Sequence, residues 1–195
     1  APAPVDMAAQ AMDPYDANNR YIGTRGLATQ NYASEPVYLQ LFIDNIADPD
    51  QGVRAAAARG LANQGETKHA ALLAAALKDS NPNVRLEAAR GLQRIHSGDA
   101  VNPLMDAMRE PILRGSGTGV QATPGERDAE VRAQAAQALG QYPNTFVLDA
   151  LIAALDDSDL AVNRNALESL RTLTGQDFGL DRAAWGEWRS RVADP

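Results

Sequence analysis

The segment Asn83–Leu92 reads Asn-Val-Arg-Leu-Glu-Ala-Ala-Arg-Gly-Leu, and its skeleton recurs along the chain. That recurrence constrains the fold more than any other feature. Asp79 stands five residues before Val84-Arg85, with Ala88-Ala89 and Leu92 following. The same order runs from Asp48 through Val53-Arg54, Ala57-Ala58 and Leu61. It runs again from Glu126 through Val131-Arg132, Ala135-Ala136 and Leu139, and from Asp157 through Val162-Asn163, Ala166-Leu167 and Leu170. A degenerate copy opens the chain with Asp13, Asn19-Arg20, Gly23-Thr24 and Leu27. At about 100° per residue, the Val position, the fourth residue after it and the eighth form one stripe of a helix. Ile95, Tyr142 and Leu173 extend that stripe in three copies. Glycine returns seven residues after the Val position as Gly26, Gly60 and Gly91. Glycine costs about 1 kcal/mol inside a helix, so its return points to close approach by a neighbour.

Each such helix, the B helix, has an apolar stripe ahead of it that reads as a partner A helix. The stripes are Leu39, Phe42, Ile43 and Ile46 before Asp48, then Ala70, Leu73, Ala74 and Leu77 before Asp79. Val101, Leu104, Met105 and Met108 precede Glu110, and Leu148, Leu151, Ile152 and Leu155 precede Asp157. At the N-terminus the stripe reads Val5, Ala8, Ala9 and Met12. The pattern predicts A helices near 4–12, 36–47, 67–78, 99–109 and 145–156, with B helices near 17–29, 51–63, 82–95, 129–141 and 160–172. Acids and Asn81 in the connecting turns suit helix N-caps and the positive end of the helix dipole. Gly65 and Gly98 are placed where C-caps favour glycine.

The B helices start 34, 31, 47 and 31 residues apart, which sets a 31-residue unit. The longest interval holds a glycine-rich insertion at 111–125, and loops of that length are commonly functional. After Leu173 the period stops, and Asp181 caps a last helix with Trp185 and Trp188 on one face. Open-ended stacks need such a terminal cap. The expected domain is a single unit over 1–195, with repeats at 4–30, 36–64, 67–97, 99–142 and 145–173 and a cap at 174–193. The fold class is all-α, a right-handed superhelix of five helix pairs with a C-terminal capping helix.

Hydrophobic residues make up 45% of the chain but aromatics only 5%, so the core must be built from Ala, Leu and Val packed closely. No run approaches the roughly 20 apolar residues of a membrane span. A net charge of −7 argues against nucleic acid as a partner. With no Cys there is no disulfide or thiolate metal site. The opening Ala-Pro-Ala-Pro reads as a mature end after export or as a boundary of the sequence given, with export the expectation.

With 31-residue helical pairs carrying Asp-x-x-x-x-Val-Arg-x-x-Ala-Ala-x-x-Leu, residues 4–173 resemble the HEAT-repeat family. The short bacterial type also found in phycobilisome lyases is the nearest in pattern. The resemblance implies that turn acids and B-helix arginines form a ladder between neighbouring repeats. Asp48 with Arg54, Asp79 with Arg85, and Glu126 (or Glu110) with Arg132 occupy those positions. Asn163 departs from the pattern, so the ladder is expected to weaken at the last repeat. The tail Thr174-Gly-Gln-Asp-Phe-Gly with both tryptophans looks like the closing segment of some exported HEAT-like proteins.

No catalytic constellation, metal site or cofactor motif emerges. His69 and His96 lie on different helices with no His-Glu pair, and both are expected at the surface. The acidic turns lack the spacing of a calcium loop. Gly115-Ser116-Gly117-Thr118-Gly119 lacks the Lys-Ser/Thr of a phosphate loop. What remains is a set of arginines six residues after the Val position: Arg25, Arg59 and Arg90, with Arg94 one turn beyond. The equivalent residues later are Gln137 and Glu168. B helices line the concave face of such solenoids, so these arginines form either a solvated face or a groove for a protein or peptide partner with an acidic segment. The function expected is a non-enzymatic interaction module or scaffold using that face, with the 111–125 loop a further recognition element. The alternative, implied by the repeat subtype, is a chromophore lyase-like role.

Overall fold

The computed structural model describes residues 2–30, 32, 35–64, 66–109, 113–114, 121–122 and 125–192. Its contacts gather into two compact units, residues 1–100 and 101–195. The first holds α1 (Pro4–Ala11), α2 (Ala17–Thr29), α3 (Pro36–Asn45) and α4 (Gln51–Gln64). A 3-10 turn, Thr67–His69, leads into α5 (Ala70–Ala76), then come α6 (Pro82–Arg94) and a second 3-10 turn at Gly98–Ala100. The second unit holds α7 (Val101–Met108), α8 (Ala129–Leu139), α9 (Thr145–Ala154), α10 (Leu160–Thr174) and α11 (Arg182–Val192). Between α7 and α8 lies a two-residue antiparallel pair, β1 (Leu113–Arg114) with β2 (Gln121–Ala122). The rest of the predicted insertion, apart from Gly125, falls outside the described residues. The chain is an all-α repeat solenoid in which odd-numbered helices from α1 to α9 are the A helices and even-numbered ones the B helices.

The B-helix stripe is buried as its period predicts: Val53, Ala57 and Leu61, then Val84, Ala88 and Leu92, then Val131, Ala135 and Leu139, then Val162, Ala166 and Leu170. The A helices meet it through one recurring fit. The residue six before the turn acid is Met7, Phe42, Leu73, Leu104 or Leu151, and all five are buried. In the first unit this side chain sits in the notch left by the recurring glycine. A Cβ at Gly26 would lie 2.4 Å from Met7 Sδ, at Gly60 2.3 Å from Phe42 Cδ1, and at Gly91 2.8 Å from Leu73 Cδ1. In α1 the buried residues are Met7 and Ala11, whereas Val5 and Met12 are exposed. The expected stripe at Val5, Ala8, Ala9 and Met12 was therefore misplaced. The register counted from the turn acid in the other repeats holds here too.

Every B helix has a side-chain N-cap. Asp16, Asp50, Asn81, Asp128 and Asp159 accept from N–H groups two or three residues on. Of the two expected C-cap glycines, Gly65 lies outside the described residues, and Gly98 instead opens a 3-10 turn. Glycine C-caps lie instead at Gly140, which ends α8, and at Gly175, whose φ of 67° closes α10 with its N–H on the Arg171 carbonyl.

Neighbouring repeats are clasped by arginine. Arg20 Nε and Nη2 bind both oxygens of Asp48 at 2.6 and 3.0 Å, and Arg54 binds Asp79 at 2.7 and 2.9 Å. In the second unit Arg132 binds Asp157 at 2.8 and 2.8 Å. The third guanidinium nitrogen turns back to its own turn: Arg54 Nη1 donates to the carbonyls of Asp48 and Pro49, and Arg132 Nη1 to those of Glu126 and Arg127. Arg85 holds the carbonyls of Asp79 and Ser80 in the same way. Each acid also accepts an N–H from two residues on: Asp50 on Asp48, Asn81 on Asp79, Asp128 on Glu126 and Asp159 on Asp157. The ladder thus runs between neighbouring repeats as the resemblance implies, with each fork on the carboxylate of the next repeat, so Arg54 meets Asp79 by its carboxylate and Asp48 by its backbone carbonyl. The acid is already bound inside its own turn, and its free lone pairs face the preceding B helix.

Asn163 supplies only the backward half of this clasp, donating to the carbonyls of Leu155 and Asp157. The link into the last repeat does not weaken, since Arg132 and Asp157 have side chains only 4% and 3% exposed. Beyond it, α11 packs on α9. Trp185 is fully buried, donates from Nε1 to the Gly179 carbonyl at 2.9 Å, and meets Phe178 and Trp188 edge to face. Arg189 pairs with Asp149 at 2.9 Å and Arg182 with Asp156 at 2.6 Å.

Two substitutions test this packing. Gly60→Ala gains up to about 1 kcal/mol of helix propensity but overpacks Phe42, a cost of about 1–3 kcal/mol. Urea unfolding should show a net loss that Phe42→Leu in the same chain partly restores. Arg132→Ala strands the buried Asp157 carboxylate and should cost about 3–5 kcal/mol, read as a lower denaturation midpoint.

Candidate functional site

The three B helices of the first unit carry seven arginines and one acid, Glu87. Arg20, Arg54 and Arg85 serve the repeat-to-repeat clasp and its turns. The other four are Arg25, Arg59, Arg90 and Arg94. The B helices of the second unit balance three arginines against two glutamates, so the excess is local.

These four residues lie along two lines that cross from helix to helix. In the first, Arg25 stands over the Tyr21 ring at 5.8 Å from its centroid, a cation–π distance. Tyr21 leans on α4, where a Cβ at Gly52 would lie 3.2 Å from its ring. Arg59 of α4 then reaches across to Glu87 of α6, with Nε to Oε2 at 3.0 Å and Nη2 to Oε1 at 2.6 Å. Arg90 binds the same Oε1 at 3.0 Å. In the second line, Arg94 Nη1 donates to Asn63 Oδ1, and Asn63 Nδ2 donates to the Ala28 carbonyl at 2.8 Å. On the same helices Ile22 is half-exposed and the small Ala55 half-buried.

Burial alone would raise the Glu87 carboxyl, but the Arg59 and Arg90 guanidiniums hold it below its ordinary value. Arg59 in turn is raised, first by the hydrogen bond to Glu87, with Tyr21 adding to it. Glu87 therefore stays charged at neutral pH and neutralises part of the row. Arg25 and Arg94 are exposed, and neither meets a carboxylate among the described residues. The sequence reading grouped all four arginines and missed Glu87, Tyr21 and Asn63. The available signal was that Glu87 is the one acid on these three helices.

The two histidines part company. His96 is exposed, but His69 is only 3% exposed, and neither ring nitrogen has a hydrogen-bond partner. The surface placement expected for His69 is corrected: it closes the 3-10 turn on which α5 enters the core. Among the described residues no three His, Cys, Asp or Glu side chains gather where a metal could bind. No described helix is long and apolar enough to cross a membrane. The second unit has a hollow of about 410 Å³ lined by Met105, Met108, Ala150, Ala153, Ala154 and Arg109 among others.

A family model described as HEAT repeats matches residues 39–115 and 120–184. The chain belongs to the HEAT-repeat family. Among solved structures, this HEAT protein is similar to the complex of CpcE and CpcF of phycocyanin lyase from Nostoc sp. PCC7120. The identity is 20% and the TM-score 0.70, over 100% of this chain and 71% of that one. An engineered protein matches with 17% identity and a TM-score of 0.66, over 98% and 90% of the two chains. A designed armadillo repeat protein in complex with the peptide (KR)4 matches with 15% identity and a TM-score of 0.60, over 99% and 90%. These likenesses establish the HEAT/armadillo type of solenoid. No curated protein sequence matches the chain.

Burial depresses the titration of His69, with Glu66 opposing and Lys68 reinforcing the shift. The unfolded chain binds a proton near the ordinary value of 6.5 while the folded chain resists it. Stability is therefore complete above that value and falls as the pH drops below it toward the depressed folded value. Thermal midpoints measured from pH 8 downward should show this fall, and His69→Leu should flatten it.

Proposed function

We propose that the chain is a non-enzymatic interaction module that holds an acidic segment of another protein on the B-helix face of its first unit. The observation that carries this reading is the local excess of arginine in a chain of net charge −7, with Arg25 and Arg94 exposed and meeting no carboxylate among the described residues. Guanidinium forks pair with carboxylates in bidentate fashion, and Tyr21 offers an aromatic surface beside them. The fold supports the reading as well, since a designed solenoid of similar architecture is solved with a peptide bound. That peptide is basic, and the face here is basic as well, so it suits a segment of the opposite charge. The face is polarised in a way that nucleic acid could also exploit, but the surrounding acidic chain opposes a polyanion that extends beyond it.

A second reading, a chromophore lyase-like role, has two supports of its own. One is the likeness to the phycocyanin lyase complex, and the other is the methionine- and alanine-lined hollow of the second unit, whose volume suits a small ligand. A pigment titration followed by absorbance separates the two: a stoichiometric spectral shift favours the lyase-like role.

The direct test is fluorescence anisotropy with a labelled peptide of eight glutamates. Replacing Arg25 and Arg94 with Gln should weaken binding about tenfold or more, equivalent to about 1.4 kcal/mol or more, while circular dichroism stays unchanged. Binding to the unsubstituted protein should also fall steeply with salt. Salt-independent binding that ignores the two substitutions would remove the proposal.

A further inference from the structure

The B-helix face of the first unit is not a uniform basic stripe, and its one acid divides it. Glu87 takes two donors from Arg59 and one from Arg90, and its residue is 9% exposed. The middle of the face therefore presents two guanidiniums whose charge is shared with a fixed internal carboxylate. An incoming carboxylate there meets like charge at close range and must compete for donors already in use. The ends differ. Among the described residues Arg25 on α2 contacts only the Tyr21 ring, and Arg94 on α6 donates only to the neutral Asn63. Both are exposed. On α2 and α4 the surface offers Tyr21, Ile22 and Ala55, at least partly exposed neutral side chains suited to small or apolar residues.

We infer that the ligand of this face is bipartite: an extended segment with two acidic clusters, one on Arg25 and one on Arg94, joined by a neutral stretch that crosses Glu87. This rests on the acidic-segment reading above and adds the spacing. Packed helices lie about 8–10 Å apart, so α2 and α6, separated by α4, stand roughly 16–20 Å apart. An extended chain advances about 3.3 Å per residue, which sets the two clusters five or six residues apart, centre to centre. Glu87 is the specificity element, because it disfavours a continuous acidic run by like-charge repulsion and leaves the split arrangement untouched.

The experiment compares two labelled synthetic peptides of equal length and composition with the full chain, by anisotropy at low salt. One has two Glu-Glu pairs separated by four residues of alanine and serine, and the other has its four glutamates contiguous between the same neutral residues. The split peptide should bind at least about fivefold tighter, the scale on which misplaced like charge acts at an interface. Arg25→Gln and Arg94→Gln should each weaken the split peptide severalfold, whereas Glu87→Gln should tighten the contiguous one and erase the preference. Equal binding of the two peptides by the unsubstituted chain overturns the bipartite arrangement and leaves the acidic-segment reading standing. A preference that survives Glu87→Gln overturns the role given to Glu87. Binding of neither peptide overturns both the arrangement and the reading on which it rests.

Discussion

The interaction on which the rest of the structure depends is the arginine that clasps one repeat to the next, as Arg20, Arg54 and Arg132 do. Its planar fork takes both oxygens of an acid in the next repeat, and its remaining nitrogen takes carbonyls of its own turn. One side chain thus fixes the start of its own helix and its distance from the following turn. Asp48 and Asp79 show what this does to charge. Burial would raise both carboxyls, yet Arg20 and Arg54, with the N–H groups of Asp50 and Asn81, hold them below the ordinary value of 3.8. Their contribution to stability is complete above that value and disappears as the pH falls through the depressed folded values. A fold with an alanine-rich core has few large side chains to fix register, so the charged clasp and the glycine notches do it instead.

The arginine-bearing face follows from that alignment. Once the turns hold α2, α4 and α6 in register, residues at equal positions of successive helices come together, and Arg59 can reach Glu87 from one repeat to the next. Asn63 and Arg94 cross the same boundaries. In the second unit the corresponding crossings are made by neutral groups, Asn165 to the Ala133 carbonyl and Ser169 to the Ala136 carbonyl. One backbone scheme therefore carries a basic surface in one unit and a near-neutral one in the other.

Much of the fold could be read from the sequence, because helix period, caps and repeat spacing are local or strictly periodic. The ends of the helices fall within a few residues of the predicted ones, and the glycine positions already told of close approach. Contacts that span a repeat were less legible. Asp48 lies nearer to Arg54 in sequence than Asp79 does, and nothing in the spacing says that the fork points forward. His69 is buried because it stands four residues before Leu73 and eight before Leu77 and so shares their stripe, which its residue type alone did not suggest. The division of the arginine stripe was hidden because Glu87 meets Arg59, 28 residues away in the chain, only when successive B helices are aligned.

The most direct measurement is a pair of double-mutant cycles in urea, one for Arg54 with Asp79 and one for Arg54 with Asp48. The forward clasp predicts a coupling of about 1–3 kcal/mol for Arg54 with Asp79 and no more than about 0.5 kcal/mol for Arg54 with Asp48. Additive effects for Arg54 with Asp79, or a larger coupling within the repeat than across it, would contradict the account.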